Sequence, residues 1–209
     1  MPTEMVTLRP VTAADTEALA TLIGQLYHAE EPGILRCPPE RQARLFRYLV
    51  GQELAAGIHG RFLAVDDSGA PIGTASVRFY SDGALGPLPA GLLLHALRAV
   101  GPGDTLRFFS YLLRGSLASE TPLRRGECYI YSVVVAATAR GRGVGRSMMA
   151  QLEGYARQAG ARAALLRVMA GNERARRLYH GLGYRTVSRP ALLARWLGLP
   201  SELMRKELG

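Results

Sequence analysis

Apolar positions along this chain alternate between two rhythms, one of period two and one near 3.6, and the switches between them mark out the elements. Val6 to Arg9, closed by Pro10, reads as a first strand. Thr12 suits an N-cap, and Leu19, Leu22, Ile23 and Leu26 then recur on one helical face up to about Tyr27. Pro38-Pro39-Glu40 opens a second helix with Leu45, Phe46, Leu49 and Val50 inward. Two strands follow, Arg61 to Val65 and Ile72 to Tyr80, joined as a hairpin by Asp66-Asp67-Ser68-Gly69. Residues 81–126 hold two more helices, Ala90 to Val100 and Thr105 to about Leu117, separated by Gly101-Pro102-Gly103. The remainder reads as strand (Tyr129 to Val135), amphipathic helix (Val144 to Ala159), strand (Ala163 to Val168), a helix from Asn172 that closes at Gly181 or Gly183, and a last strand, Ser201 to Leu208, with Leu203 inward and Arg205 out. This order of elements predicts one mixed α/β domain over residues 1–209, with no internal repeat and no low-complexity linker.

Between the strand ending at Val135 and the helix opening at Val144 lies Arg140-Gly141-Arg142-Gly143-Val144-Gly145. Strand, glycine-rich turn, helix is an arrangement that aims unpartnered backbone N–H groups and the positive end of a helix dipole at a phosphate. Two common loops are excluded by spacing. A dinucleotide fingerprint needs a third glycine where Arg146 stands, and a P-loop needs glycine at Arg140 and lysine at Arg146. Taken alone, the run fits a flexible turn or a nucleic-acid-binding tract as well as a ligand cradle.

Composition narrows the partners. The chain has 209 residues, 48% of them hydrophobic, enough for a sizeable core. No apolar run reaches the length of a membrane span, and Met1-Pro2-Thr3-Glu4 has no signal-peptide character, so a cytoplasmic location is expected. Cys37 and Cys128 form neither a disulfide framework nor a zinc pattern, and the four histidines have no metal-ligand spacing; no metal is expected. The net charge of +9 is largely solvated arginine, but Arg140, Arg142 and Arg146 crowd the glycine loop, where they favour an anionic ligand. Nucleic acid is not expected, because the basic residues are not interleaved with aromatics as a single-strand platform requires.

Downstream of the loop, Asn172, Ala175, Leu178, Tyr179, Gly183 and Tyr184 stand at fixed intervals; upstream, so do Val135, Arg140, Gly143 and Gly145. From about Glu127 to Arg189 the chain resembles the acyl-CoA-binding core of the GNAT superfamily of N-acetyltransferases. The resemblance implies a mixed, mostly antiparallel sheet with helices on both faces, whose fourth and fifth strands splay apart to hold acetyl-CoA. It implies that the backbone of Val133, Val134 and Val135 pairs with pantetheine. The stretch Arg140, Gly141, Arg142, Gly143, Val144, Gly145 and Arg146 would then receive the pyrophosphate. Asn172 would contact the cofactor, although its position is equally that of an N-cap. Tyr179 would be the general acid for the departing thiolate, although it also lies on the apolar face of its own helix.

The general base is less determined. An amine attacks only when neutral, so a proton acceptor is needed. Glu127 is the leading carboxylate; it stands two residues before Tyr129, the position aligned with a catalytic glutamate in some members, and shares its strand face. A solvated strand-end carboxylate is the other reading. Members that acetylate ribosomal-protein N-termini use a glutamate on the fifth strand, where this chain has Arg167. The function implied is direct acetyl transfer from acetyl-CoA to a primary amine in a ternary complex. Nothing near Cys128 suggests an activated thiolate. A non-catalytic acyl-CoA-binding or regulatory module is the alternative. The helical excursion at 81–126 is either a wall over the acceptor site or structural completion of the core. Acceptor-contact candidates are Asp82, Asp104, Glu120 and Trp196, and homodimerisation is left open.

Overall fold

A seven-stranded sheet organises the computed structural model, which describes residues 6–57, 60–82, 88–118, 123–188 and 201–209. In chain order the elements are β1 (Thr7–Pro10), α1 (Thr16–Glu30), α2 (Pro39–Ala55), β2 (Arg61–Val65), β3 (Pro71–Phe79), α3 (Leu92–Val100), α4 (Pro102–Ala118), β4 (Glu127–Val135), α5 (Val144–Gln158), β5 (Ala163–Met169), α6 (Glu173–Gly181), β6 (Arg185–Ser188) and β7 (Ser201–Glu207). Spatially the strands run β1-β2-β3-β4-β5-β7-β6. Every neighbouring pair is antiparallel except β4 and β5, which are parallel because α5 crosses between them. The predicted mixed, mostly antiparallel sheet is thus observed.

The two sheet faces carry different cargo, and register tells them apart. Phe62, Phe79, Cys128, Ile130, Leu166 and Met204 point to the face covered by α5, where Tyr155 packs on Phe62 at 4.9 Å between ring centroids. Met148, Met149 and Leu152 of α5 are wholly buried there. On the opposite face α1 and α2 pack together through Gly24, where a Cβ would stand 3.3 Å from the Phe46 ring. Arg61 and Glu53 join that helical layer to the sheet by a buried ion pair at 2.6 Å.

Most elements fall where the apolar rhythm puts them, and the exceptions have physical reasons. The first helix continues one turn past Tyr27 to Glu30, with Glu31 N–H still bonded to Tyr27 O at 2.9 Å. Its entry is a tight turn, Ala13–Asp15, clipped by Asp15, which accepts from the Thr12 N–H and from Arg9. Helix α4 starts at Pro102 inside the expected break, because a proline is well placed at a helix start where its missing N–H costs nothing. In β7 the expected alternation is shifted by one: Met204 is the core residue, while Leu203 and Arg205 share the opposite face as residues two apart must. Strand β6, which has no apolar run of its own, is an edge strand recruited by β7.

The excursion 81–126 packs on the ends of α1 and α2. Asp104 accepts from the backbone N–H groups of Arg36 and Cys37 at 2.9 and 2.7 Å, tying α4 to the α1–α2 connection. Tyr27 stacks its ring against Phe46, Phe108 and Tyr111 at 5.3 to 5.6 Å. Of the acceptor-contact candidates, Asp104 is therefore a buried structural hub, Asp82 caps its own turn through the Phe79 N–H, and Glu120 and Trp196 lie outside the described residues.

Candidate active site

Strand β4 changes character half-way along. Ser132 has φ of 51°, a left-handed value unusual outside glycine, and between Thr74 and Ser76 the register with β3 slips so that Ser132 and Val133 oppose Ala75 alone. This is a bulge on β4. On the other edge, pairing with β5 ends at Ile130–Leu166, although β5 runs on to Met169 with β7 at its far side. The two parallel strands part there. Residues Tyr131–Val135 and Arg167–Met169 border the opening, and their backbone groups turned towards it form a template for an extended ligand.

The loop above the opening is set by short-range contacts. Gln25 of α1 accepts the Ala137 N–H at 3.1 Å, and Arg140 folds back so that its Nε donates to Val135 O at 3.1 Å. Gly141 and Gly143 adopt φ of 84° and 82°, a turn that β-carbons resist. The first bonds of α5 run from Arg146 and Ser147 to Gly143 O, which leaves the N–H groups of Val144 and Gly145 without an intrahelical partner. Val144 itself is buried and anchors the helix start. Gly145 serves packing as well: a Cβ there would lie 3.2 Å from Leu178 of α6. Arg142 and Arg146 are exposed beside the loop. Arg174, which the sequence reading passed over, brings its guanidinium within 3.8 Å of where a Gly141 Cβ would be.

Asn172 caps α6, its Oδ1 accepting the Ala175 N–H at 3.1 Å. Tyr179, about two turns further on, is buried and meets Tyr184 edge-on at 5.9 Å. Burial, Tyr129 and Glu30 together hold its phenol well above the ordinary value, so it is a proton carrier at any physiological pH. Tyr129 stands on β4 beside Tyr131, rings stacked at 6.0 Å. Its phenol is pushed up to about 12 by burial; the guanidiniums of Arg167 and Arg78 pull against that, and Glu30 adds to it.

Glu30 was missed by sequence reasoning, which ended its helix one turn short. Its carboxylate accepts a hydrogen bond from the Tyr111 hydroxyl of α4. Burial raises its pKa and the Tyr111 bond opposes the rise. Its charge disfavours ionisation of Tyr27, Tyr111, Tyr129 and Tyr179. The neighbouring Glu31 pairs with Arg114 of α4 at 3.1 Å. The excursion thus supports the site directly.

Glu127 is placed elsewhere. It stands at the closed end of the strand pair, opposite Ala163, and its carboxylate accepts from Arg205 Nε at 3.4 Å and from the Arg124 N–H at 2.9 Å. Four residues separate it from Tyr131, roughly 13 Å along a strand. Tyr179 registers the charges of Tyr129 and Glu30, while Glu127 is held at the closed end of the strand pair by Arg205. Cys128 faces α5 on the far side of the sheet, its thiol pushed up to about 12 by burial. A groove of about 640 Å³ between α1 and α2 reaches Ala137 and Arg140 but is not lined by Tyr129, Arg167 or Tyr179.

The profile of the Acetyltransferase (GNAT) family matches residues 25–184, most of the chain. The chain belongs to the GNAT acetyltransferase family. Solved structures share its fold across nearly their whole length. A GCN5-related N-acetyltransferase from Kribbella flavida is 19% identical, with 97% of each chain covered and a TM-score of 0.57. The yncA acetyltransferase of Salmonella typhimurium, solved with its cofactor acetyl-CoA, is 17% identical over 98% of this chain and 95% of that one, with a TM-score of 0.56. A ribosomal-protein-alanine N-acetyltransferase from Brucella melitensis is 19% identical over 96% and 99%, with a TM-score of 0.57. No match is found among curated proteins. Family membership implies an acyltransferase. Among the described residues no helix is long and apolar enough to cross a membrane, and no group of three or more His, Cys, Asp and Glu gathers as a metal site would need.

Proposed function

We propose that the protein transfers the acetyl group of acetyl-CoA to the amine of an acceptor by direct attack, with Glu30 as general base and Tyr179 as general acid. One observation supports this: pairing between β4 and β5 stops at Ile130–Leu166 although both strands run on, which leaves an opening along the stretch of β4 that leads to the glycine turn. Acetyl-CoA fits that opening. An extended pantetheine can take the backbone of Val133, Val134 and Val135 as an added strand, and its pyrophosphate finds the N–H groups of Gly143, Val144 and Gly145 with Arg140, Gly141, Arg142, Arg146 and Arg174 around them. Acetyl-CoA supplies an activated thioester carbonyl. It is also the cofactor of the yncA acetyltransferase, whose fold this chain shares.

The residues then divide the proton work. Glu30, ionised and partly desolvated, accepts the proton that an ammonium acceptor must lose before it attacks. Its burial-raised pKa makes it a stronger base than a solvated carboxylate. The bulge at Ser132 turns the β4 backbone out of its regular ladder with β3 and towards the thioester. Tyr179 holds its proton until negative charge gathers on sulfur, a thiolate of pKa near 8.5 that needs modest help. Asn172 remains foremost a cap and contributes by fixing the start of α6. Cys128 is walled off on the opposite face, which favours direct transfer over a covalent acyl-enzyme.

Free-thiol release from acetyl-CoA against a panel of amines tests the reading. Glu30→Gln is expected to lower turnover roughly 10²- to 10⁴-fold with acetyl-CoA affinity retained. Glu127→Gln should leave turnover within about threefold, as an ion-pair change away from the chemistry would. Reversal of that pattern would return the base role to Glu127. Tight acetyl-CoA binding with no thiol release for any amine would favour a binding module.

A further inference from the structure

Of the 26 lysine and arginine residues in the chain, Lys206 alone is lysine, and it stands where the core closes over a charge. On β7 it lies opposite Ala164 of β5, which lies opposite Cys128 of β4, so the three point to the face that α5 covers. There its Nζ is 2.6 Å from Oε2 of Glu153 of α5, a side chain only 5% exposed. The same ammonium stands 5.7 Å from the centre of the Tyr184 ring, within cation–π range. Its stem passes Gly183, where a Cβ would be 3.8 Å from Cε. Glu153 and Tyr184 therefore flank one cation. Tyr184 in turn is tied to Tyr179. Its N–H donates to Tyr179 O at 3.0 Å, its own O lies 3.2 Å from His180 Nδ1, and the two rings meet edge-on at 5.9 Å. Both tyrosine side chains are buried.

Resting on the reading of Tyr179 as general acid, we propose that Lys206 and Glu153 are positioning residues for Tyr179, acting through the ring of Tyr184 and touching neither donor nor acceptor. A proton donor must be held to within about 0.5 Å of its productive place. Apolar packing is non-directional and cannot do this alone for a ring buried among aliphatic neighbours. An edge-on aromatic contact has a preferred orientation, provided that the partner ring is itself fixed. Lys206 supplies that fixing: it stands by the Tyr184 ring, and Glu153 fixes where the ammonium stands. Stability does not explain the pair, because apolar residues of similar volume commonly serve as well as a buried ion pair. The choice of lysine has a physical reason too. An ammonium is a compact point charge that one carboxylate oxygen and one ring can hold together, whereas the planar fork of arginine suits two-point partners.

The test separates position from stability. The paired variant Glu153→Leu with Lys206→Met removes both charges and leaves neither buried alone. Its melting temperature and acetyl-CoA affinity are expected to stay near wild type. Its kcat for thiol release, with the amine that the wild type turns over best, should fall by roughly 10- to 100-fold, the scale of a misplacement of about an ångström. Lys206→Met alone should lose as much in kcat and also melt lower, because Glu153 is then buried without its partner. The decisive measurement repeats the paired change in a Tyr179→Phe background. There it should cost less than about threefold further, since residues that act as a unit are not additive. An equal cost in both backgrounds overturns the proposal and leaves the acid role of Tyr179 standing. A paired variant with kcat within about threefold of wild type overturns it too, as does one that melts far below wild type and so marks the pair as structural. If Tyr179→Phe itself turns over at the wild-type rate, the acid role and this inference fall together. No thiol release with any amine overturns both as well.

Discussion

Replacing Tyr111 by Phe isolates one atom of the proposed base assembly. The ring contacts with Tyr27, at 5.5 Å, are kept, and only the hydroxyl that donates to Glu30 is lost. A hydrogen bond to a charged group contributes about 1.5–3 kcal/mol, and each 1.4 kcal/mol is tenfold. That bond favours the ionised carboxylate against the burial that favours the neutral acid. Its removal raises the pKa of Glu30 further, so the acidic limb of kcat/KM against pH moves to higher pH. On that limb the rate falls by roughly 10- to 100-fold and recovers as the pH rises. Acetyl-CoA affinity is unchanged, because Tyr111 belongs to α4 and not to the β4–α5 loop. Stability follows pH in the opposite direction. A carboxyl whose folded pKa is raised above its ordinary 4.5 contributes stability that is complete below that value and lost as pH rises through the folded value. The variant widens this loss, so its melting temperature should lie further below wild type at mildly alkaline pH than in acid. A profile lowered equally at every pH, or an acidic limb that does not move, would refute the coupling between Tyr111 and Glu30.

Three further outcomes follow from the geometry. Tyr179→Phe should slow turnover by roughly 10²-fold or more while leaving the dissociation constant of acetyl-CoA nearly unchanged; equal losses in both, measured by thiol release and calorimetry, would remove the acid role. Gly143→Ala forces a β-carbon into φ of 82° at the N-cap of α5, a strain of about 1–2 kcal/mol, and should weaken acetyl-CoA binding more than it lowers the melting temperature. Asp15 is held below the usual carboxylate range chiefly by its bond to Arg9, so its contribution is present above the ordinary 3.8 and lost as pH falls through the folded value. Asp15→Asn should therefore cost roughly 1–3 kcal/mol at neutral pH, with the gap to wild type closing in strong acid; a gap independent of pH would contradict that origin.

How far the fold could be read from the chain depends on the range of the forces involved. Strand β2 and the start of α5 were legible to the residue, because a short, largely apolar run closed by a turn and a glycine turn are local signals. The last turn of α1 was not. His28, Ala29 and Glu30 continue no apolar stripe, so periodicity stops at Tyr27 while the backbone bonds go on. That turn stays helical because α4 packs on it, with Tyr111 bonded to Glu30 and Arg114 to Glu31, contacts between residues some eighty positions apart in sequence. The same contacts decide between the two roles open to the excursion at 81–126. It completes the core through Phe108, and it also reaches the site through Tyr111.

The two glutamates show why a motif locates a cofactor more readily than a base. Glu127 shares a strand face with Tyr129, and period two alone put it there. Whether a residue on that face meets the substrate depends on where β4 leaves β5, and that point, two residues before the left-handed Ser132, has no signature in a pattern of apolar positions. With the strands still joined as far as Ile130, the carboxylate of Glu127 lies below the opening and is drawn to Arg205 of β7 instead. Cofactor groups are bound by backbone and glycine, which a local motif specifies. In the proposed reaction the protons are handled by side chains assembled from α1, α4 and α6, which no single run of residues specifies. The proposed proton relay can therefore be altered by single substitutions at scattered positions such as Glu30 and Tyr111, with the glycine loop left as it is.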